Sequence, residues 1–144
     1  ISIKKIKIYI KPHPSSHNSK KICSNFKSLM QKSKLVEGHL SSYFNEIDIF
    51  ISAGASPCLE SICYGIPTII IGSSTDLDQN PINNKITDKL WKICYDSNEF
   101  NLALNEYINY NDTTLNELRL IGQDLKENLF CKPTSQQIEN LIFK

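Results

Sequence analysis

Residues 47–84 read IDIFISAGASPCLESICYGIPTIIIGSSTDLDQNPINN, and the order of apolar, small and polar residues in them decides the fold class. Residues 47–52 (IDIFIS) predict a buried strand, and residues 53–56 a loop of small residues. A short helix is expected over 57–64. Ser56 suits its N-cap, Pro57 its first position, and Gly65 the left-handed position beyond its end. Residues 68–71 (TIII) are apolar throughout, the pattern of a strand covered on both faces of a sheet. Residues 72–84 form a long polar connection, the kind of loop that carries function.

Outward from this stretch, strands and helices keep alternating. Ile6, Ile8 and Ile10 alternate with Lys7, Tyr9 and Lys11, which predicts a strand stopped by Pro12 and Pro14. Residues 19–33 carry Ile22, Phe26, Leu29 and Met30 at helical spacing. A short strand is expected near 34–37, before Gly38, then a helical turn from Ser41 or Ser42 through Tyr43 and Phe44. A further strand is expected over 90–95, followed by helices over 98–110, 114–130 and 135–143. Thr134 with Gln137 resembles a capping box for the last of these. The implied fold is α/β: an open parallel Rossmann-like sheet with helices on both faces and a helical C-terminal tail. A length of 144 residues suits one domain over 1–144. The first residue is Ile rather than Met, as expected of a fragment of a longer protein.

Composition excludes several classes. With 40% hydrophobic residues, the chain can bury a core without disulfide or metal staples. No apolar run reaches the ~18 residues of a membrane span, and the Lys-Ile alternation at the start is not a signal peptide. Five Cys without a C-x-x-C pair fit the reduced thiols of a cytoplasmic protein. Among them, Cys58, Cys63 and Cys94 read as small core hydrophobes. His13, His17 and His39 lie far from any Cys pair, so no metal site is expected. Asp76-Leu77-Asp78 is literally D-x-D, but it sits in a loop and not at a strand end.

The net charge of +1 hides an asymmetry: residues 1–34 hold nine Lys and no Asp or Glu, and residues 35–144 carry a net −8. Such a division marks a surface for an anionic ligand or a membrane, or simply the solvated faces of a Lys-rich protein. Lys outnumbers Arg fifteen to one, which speaks against nucleic acid, where base readout and phosphate clamping favour Arg.

The chemistry-bearing residues gather at strand ends. The junction Ser52, Gly54, Ser56 offers backbone N–H groups and the positive end of a helix, an arrangement suited to phosphate. Gly54 permits close approach of a ligand to the backbone. Glu60 lies one turn on from Ser56, on the same helix face, where a carboxylate can accept both hydroxyls of a ribose. A helix-dipole role for Glu60 is the alternative. Residues 11–14 (KPHP) end a strand at the edge where open α/β sheets bind ligands. There His13 can donate to a phosphate oxygen beside Lys11, or serve only as a surface turn residue. Asp76, Asp78 and Gln79 are either ligand-facing or turn-forming.

These residues resemble the nucleotide-sugar motif of GT-B glycosyltransferases. The shared pattern is Gly54, Ser56, Leu59-Glu60, then Gly65-Ile66-Pro67, then the acidic-Gln pair Asp78-Gln79 followed by Asn. The KPHP run is similar to the His-Pro motif of bacterial surface-polysaccharide and sialic-acid transferases of that fold. Ser52 stands where some members carry His. Asp78-Gln79 falls two residues later than in the plant-type motif, so Asp76 competes for its role.

The resemblance implies the C-terminal, donor-binding domain of a glycosyltransferase without its N-terminal acceptor half. The donor phosphates would meet Lys11, His13, Ser52, Gly54 and Ser56. The ribose would meet Glu60, and the donor sugar Asp76, Asp78 and Gln79. No catalytic base is assigned and no cofactor is required, because the nucleotide-sugar is the substrate. The implied partners are that donor and a glycan or lipid-linked acceptor, with a peripheral membrane contact at the inner face of the membrane. Two alternatives stand beside this reading: a nucleotide-sugar epimerase of the same fold, and a non-catalytic interaction domain.

Overall fold

The structure, a computed structural model, describes residues 6–13, 33–77, 80–130, 133–136 and 139. The chain forms two compact units, Ile1–Ser42 and Tyr43–Lys144.

In the first unit, β1 (Ile8–Ile10) pairs in parallel with β2 (Ser33–Leu35). Ile8 sits opposite Ser33, Tyr9 opposite Lys34, and Ile10 opposite Leu35. The Val36 N–H extends the ladder to the Ile10 carbonyl at 2.9 Å, and Val36 is buried. Parallel strands need a crossover of a dozen or more residues, and residues 11–32 lie between these two. The helix expected over 19–33 falls outside the described residues except for Ser33, which is in β2. A 3-10 turn, Leu40–Tyr43, occupies the place where the sequence predicts a helical turn.

The second unit is built on three parallel strands in the order β3-β4-β5: β3 (Phe50–Ser52), β4 (Thr68–Ile71) and β5 (Trp91–Cys94). The strands thus fall into two small sheets, where the sequence reading expects one. β3 is shorter than the apolar run that predicts it. Pairing starts only where the Phe50 N–H reaches the Pro67 carbonyl at 2.9 Å.

Three helices cover this sheet: α1 (Ser56–Cys63), α2 (Ser97–Ile108) and α3 (Asp112–Leu129). Successive residues of β4 point to opposite faces. Ile70 packs with Cys58 and Ile62 of α1 and Leu118 of α3, together with Leu90 and Trp91. Its neighbour Ile69 packs with Cys94 and with Ala103 and Tyr107 of α2. The unit is therefore a three-layer α/β/α arrangement, with α1 and α3 on one face and α2 on the other. Both faces of β4 are buried over its first three residues, Thr68, Ile69 and Ile70, as an apolar run implies, and Ile71 at its end is exposed. Full burial of a side chain such as Ile62, Ile69 or Leu90 is worth about 1.5–3 kcal/mol.

Helix starts follow local chemistry. The Asp96 carboxylate accepts from the Asn98 and Glu99 N–H groups at 2.7 and 2.8 Å, and the Asn111 side chain accepts from the Thr114 N–H at 2.9 Å. Both are N-caps of the favoured residue types. Of the expected tail helix over 135–143, Ser135, Gln136 and Glu139 are helical, and the remaining residues lie outside the described ones.

Helix α1 ends in a Schellman motif. The Gly65 N–H bonds to the Ile62 carbonyl at 2.9 Å and the Ile66 N–H to the Ser61 carbonyl at 3.1 Å, with Gly65 at φ +69°. The same glycine sets the contact between α1 and α3. A Cβ at Gly65 would lie 2.5 Å from the Arg119 Cα, and one at Gly122 would lie 2.4 Å from the Gly65 backbone nitrogen. The two backbones touch because neither residue has a side chain.

Candidate functional site

The strand-loop-helix junction after β3 is built as the sequence implies, with one change at the helix start. Ser52 ends β3, Gly54 turns the chain at φ +83°, and Ala55 is extended at φ −165°, ψ 167°. The expected N-cap was Ser56, but the first turn closes one residue earlier. The Ala55 carbonyl accepts from the Cys58 N–H at 2.8 Å, so Ala55 is the N-cap and Ser56 and Pro57 are the first two helical residues.

Ala55 has no side chain with which to cap the helix. Cys58, at the third helical position, reaches back instead, as the third residue of a capping box does. Its sulfur takes hydrogen bonds from the Ala55 backbone, the Ser52 side chain and the Gly54 backbone. Burial pushes the Cys58 thiol up, and these three bonds pull it partly back. Spacing alone reads Cys58 as packing only. The signal that could have identified its second role is its position three residues after the small N-cap.

Of the expected phosphate contacts in this unit, Ser52 is half-buried, Gly54 buried and Ser56 exposed. Glu60 is half-buried one turn further along α1. Cys58, Ser61, Ile62 and Cys63 form the buried side of the helix. Ser52, Gly54, Ser56 and Glu60 thus belong to one junction at the carboxyl end of β3.

The loop leaving the neighbouring strand β4 starts from the same edge of the sheet, because β3 and β4 are parallel and paired. It holds Asp76 in a hydroxyl-built turn. The Ser73 hydroxyl oxygen accepts from the Asp76 N–H at 3.0 Å and from the Thr75 N–H at 3.3 Å, and the Thr75 hydroxyl donates to the Asp76 carboxylate at 3.4 Å. Asp76 is exposed and serves the turn. Asp78 and Gln79 lie outside the described residues.

Further along, the Asn80, Asn83 and Thr87 side chains accept from the N–H groups of Ile82, Lys85 and Lys89. Buried Ile82 and Leu90 pin this connection to the core. In the first unit, Lys11 follows β1 half-buried and His13 is exposed.

Sequence reasoning missed a buried polar pair under α1. The Ser61 and Thr68 hydroxyls are 2.7 Å apart, and each also lies 2.9 Å from a carbonyl, of Cys58 and of Ile66 respectively. Two protons serve three contacts, and the pair ties the helix to the first residue of β4.

Two cavities of the second unit lie away from the junction. One, of about 300 Å³, is lined by Lys92, Cys94, Glu99, Leu102 and Glu106 between β5 and α2. The other, of about 350 Å³, is lined by Asn45, Asp48, Tyr64, Pro67 and Arg119 near the amino ends of β3 and β4. Neither includes Ser52, Gly54, Ser56 or Glu60. Among the described residues, no helix is long and apolar enough to cross a membrane. Comparison with protein-family models, with curated proteins and with solved structures finds no match to this chain.

Proposed function

We propose that the chain is the nucleotide-sugar-binding part of a GT-B-type glycosyltransferase. In the intact enzyme a sugar passes from a nucleotide-activated donor to a hydroxyl of a glycan or lipid-linked acceptor. The observation that carries the reading is the junction after β3. A parallel strand runs through a positive-φ glycine into a helix whose N-cap has no side-chain cap, with a half-buried carboxylate one turn on. A diphosphate is favoured at the start of such a helix by its dipole and its N–H groups. Glu60 then accepts from the ribose hydroxyls. In the first unit, Lys11 and His13 offer donor groups to an anion at the end of β1. The share of the junction after β3 in transfer is electrostatic: it stabilises the charge that develops on the leaving nucleotide.

One observation favours a second reading, a non-catalytic α/β interaction domain. The Gly54 and Ala55 backbone groups, which a phosphate would use, already face the Cys58 sulfur. Titrating the chain with nucleoside mono- and diphosphates separates the two. The donor-binding reading expects saturable diphosphate binding that weakens as salt rises, since exposed charges are screened within ~8–10 Å at physiological ionic strength. The interaction-domain reading expects no binding at any salt concentration.

A further inference from the structure

The sheet of the second unit ends on an unshared edge. In the order β3-β4-β5, β5 is outermost, and among the described residues no strand pairs with its far side. The carbonyls of Leu90 and Cys94 turn toward β4, where they accept from the Thr68 and Gly72 N–H groups at 2.9 Å each. Backbone groups alternate in direction along a strand. The N–H and C=O groups of Trp91 and Ile93 therefore turn outward, to the free side. The next outward group, the Tyr95 N–H, donates to the Glu99 carboxylate at 2.7 Å, so Glu99 stands at the edge itself.

Glu99 begins a stripe along α2. Glu99, Leu102, Ala103 and Glu106 recur at helical spacing and, with Lys92 and Ile93 of β5, line the cavity of about 300 Å³. Leu102, in the middle of the stripe, is 71% exposed. Glu106 is ion-paired with Lys92, so two carboxylates stand against one ammonium and the groove is net negative.

We propose that this groove takes an extended segment of a partner protein as a further strand beside β5. The segment sets an apolar residue on Leu102 and Ala103 and a basic residue two positions away at Glu99. A strand is the occupant that meets outward N–H and C=O groups on alternate residues, the mode in which a peptide is added to a sheet edge. Its side chains recur on one face every ~6.6 Å. Glu99 and Leu102 stand about 4.5 Å apart along the helix axis, a difference that the stem of a lysine or arginine spans. A second copy of this chain suits the edge poorly. Twofold pairing through Trp91 and Ile93 would set the two Lys92 side chains opposite each other, and like charges so placed are destabilising. The proposal stands apart from the nucleotide reading, because Ser52, Gly54, Ser56 and Glu60 do not line this groove.

The test pans a library of displayed random octapeptides on the full chain, on Leu102→Ser, and on the control Leu120→Ser, whose residue is 70% exposed on α3. The parent and the control should enrich octapeptides that carry an apolar and a basic residue separated by one position, and Leu102→Ser should not. A synthetic copy of an enriched octapeptide, added at about ten times its Kd, should slow amide exchange at Trp91 and Ile93 about tenfold, because strand pairing takes up both groups. Replacing its basic residue by Glu should weaken binding to the parent about tenfold, and to Glu99→Gln less than about threefold. Melting midpoints check that the variants fold, and the exchange measurement on the parent needs no variant. No enrichment, equal enrichment on Leu102→Ser, or unaltered exchange at Trp91 and Ile93 overturns the proposal. So does dimerisation of the parent that Leu102→Ser abolishes, which would give the edge to a second copy. A nucleoside diphosphate titration of the same proteins reports on the junction after β3 separately, so failure of one proposal is visible without the other.

Discussion

Gly65 meets two demands at once. It turns the chain at φ +69° to end α1, and it lets the α3 backbone come within contact distance. Gly65→Ala therefore adds left-handed strain to overpacking against backbone that cannot swing away. The expected loss is about 2–4 kcal/mol, read as a fall in melting midpoint. Gly122→Ala is the sharper case. In an exposed helix Ala would be favoured over Gly by about 1 kcal/mol, but here a Cβ would lie 2.4 Å from the Gly65 nitrogen, so the change should destabilise. A raised midpoint for Gly122→Ala would contradict the packing of α1 on α3. The turn at Gly65 is legible in the sequence, because a glycine after a short amphipathic run signals a helix end. The contact with Gly122 is not legible, because close approach of two helices leaves no local pattern. Two tyrosines of one segment differ in the same way. The Tyr107 hydroxyl is buried without a partner among the described residues, whereas the Tyr110 hydroxyl lies 2.8 Å from the Glu106 carboxylate and 3.1 Å from the Lys89 carbonyl. Tyr107→Phe should raise stability by up to about 1 kcal/mol, and Tyr110→Phe should lower it by about 1 kcal/mol, both measured by denaturant unfolding.

At the scale of elements, the sequence places most helices and strands within a residue or two. Apolar spacing and polar starts are local properties, as Asp96 and Asn111 show by capping α2 and α3. The start of α1 resisted this reasoning. Ser56 is the better capping residue by type, yet the turn closes on Ala55, where Cys58 can reach back from the buried side of the helix. That choice depends on what α1 packs against. The tie between β5 and α2 gives a pH-dependent prediction. Lys92 and Glu106 form an ion pair, and the hydrogen bond from Lys92 holds the Glu106 carboxyl below the usual carboxylate range, with a smaller contribution from Tyr110 against partial burial. A depressed folded-state pKa stabilises above the unfolded value, and that stability is lost as pH falls through the folded one. The Glu106 side chain is 42% exposed, so screening keeps the contribution to a few tenths of a kcal/mol, up to about 1. Glu106→Gln should lower the unfolding free energy at neutral pH, and the gap to the parent should close on acidification. A gap independent of pH would assign the loss to packing instead of charge.

At the scale of the molecule, the parallel α/β character is legible because apolar strands alternate with amphipathic helices, and the layer order around β4 follows from its apolar run. The division of the strands into two sheets is not legible, since strand neighbours are chosen by long-range pairing that no window of sequence contains. The candidate site divides similarly. Ser52, Gly54, Ser56 and Glu60 are close in sequence, so their junction could be read directly. Asp76 could not be assigned by spacing, because a loop acid that faces a ligand and one that sits in a hydroxyl-built turn share the same local sequence. The central claim is that this junction holds a nucleotide, with Glu60 on the ribose. The most direct measurement is calorimetric titration of a nucleoside diphosphate into the parent chain and into Glu60→Gln, with the melting midpoint taken on the same samples. Charge-assisted hydrogen bonds are worth about 1.5–3 kcal/mol, so the account expects affinity to fall roughly ten- to a hundredfold with the midpoint unchanged. Equal affinity for the two proteins, with a lowered midpoint in the variant, would make Glu60 a helix-dipole residue and contradict the nucleotide site.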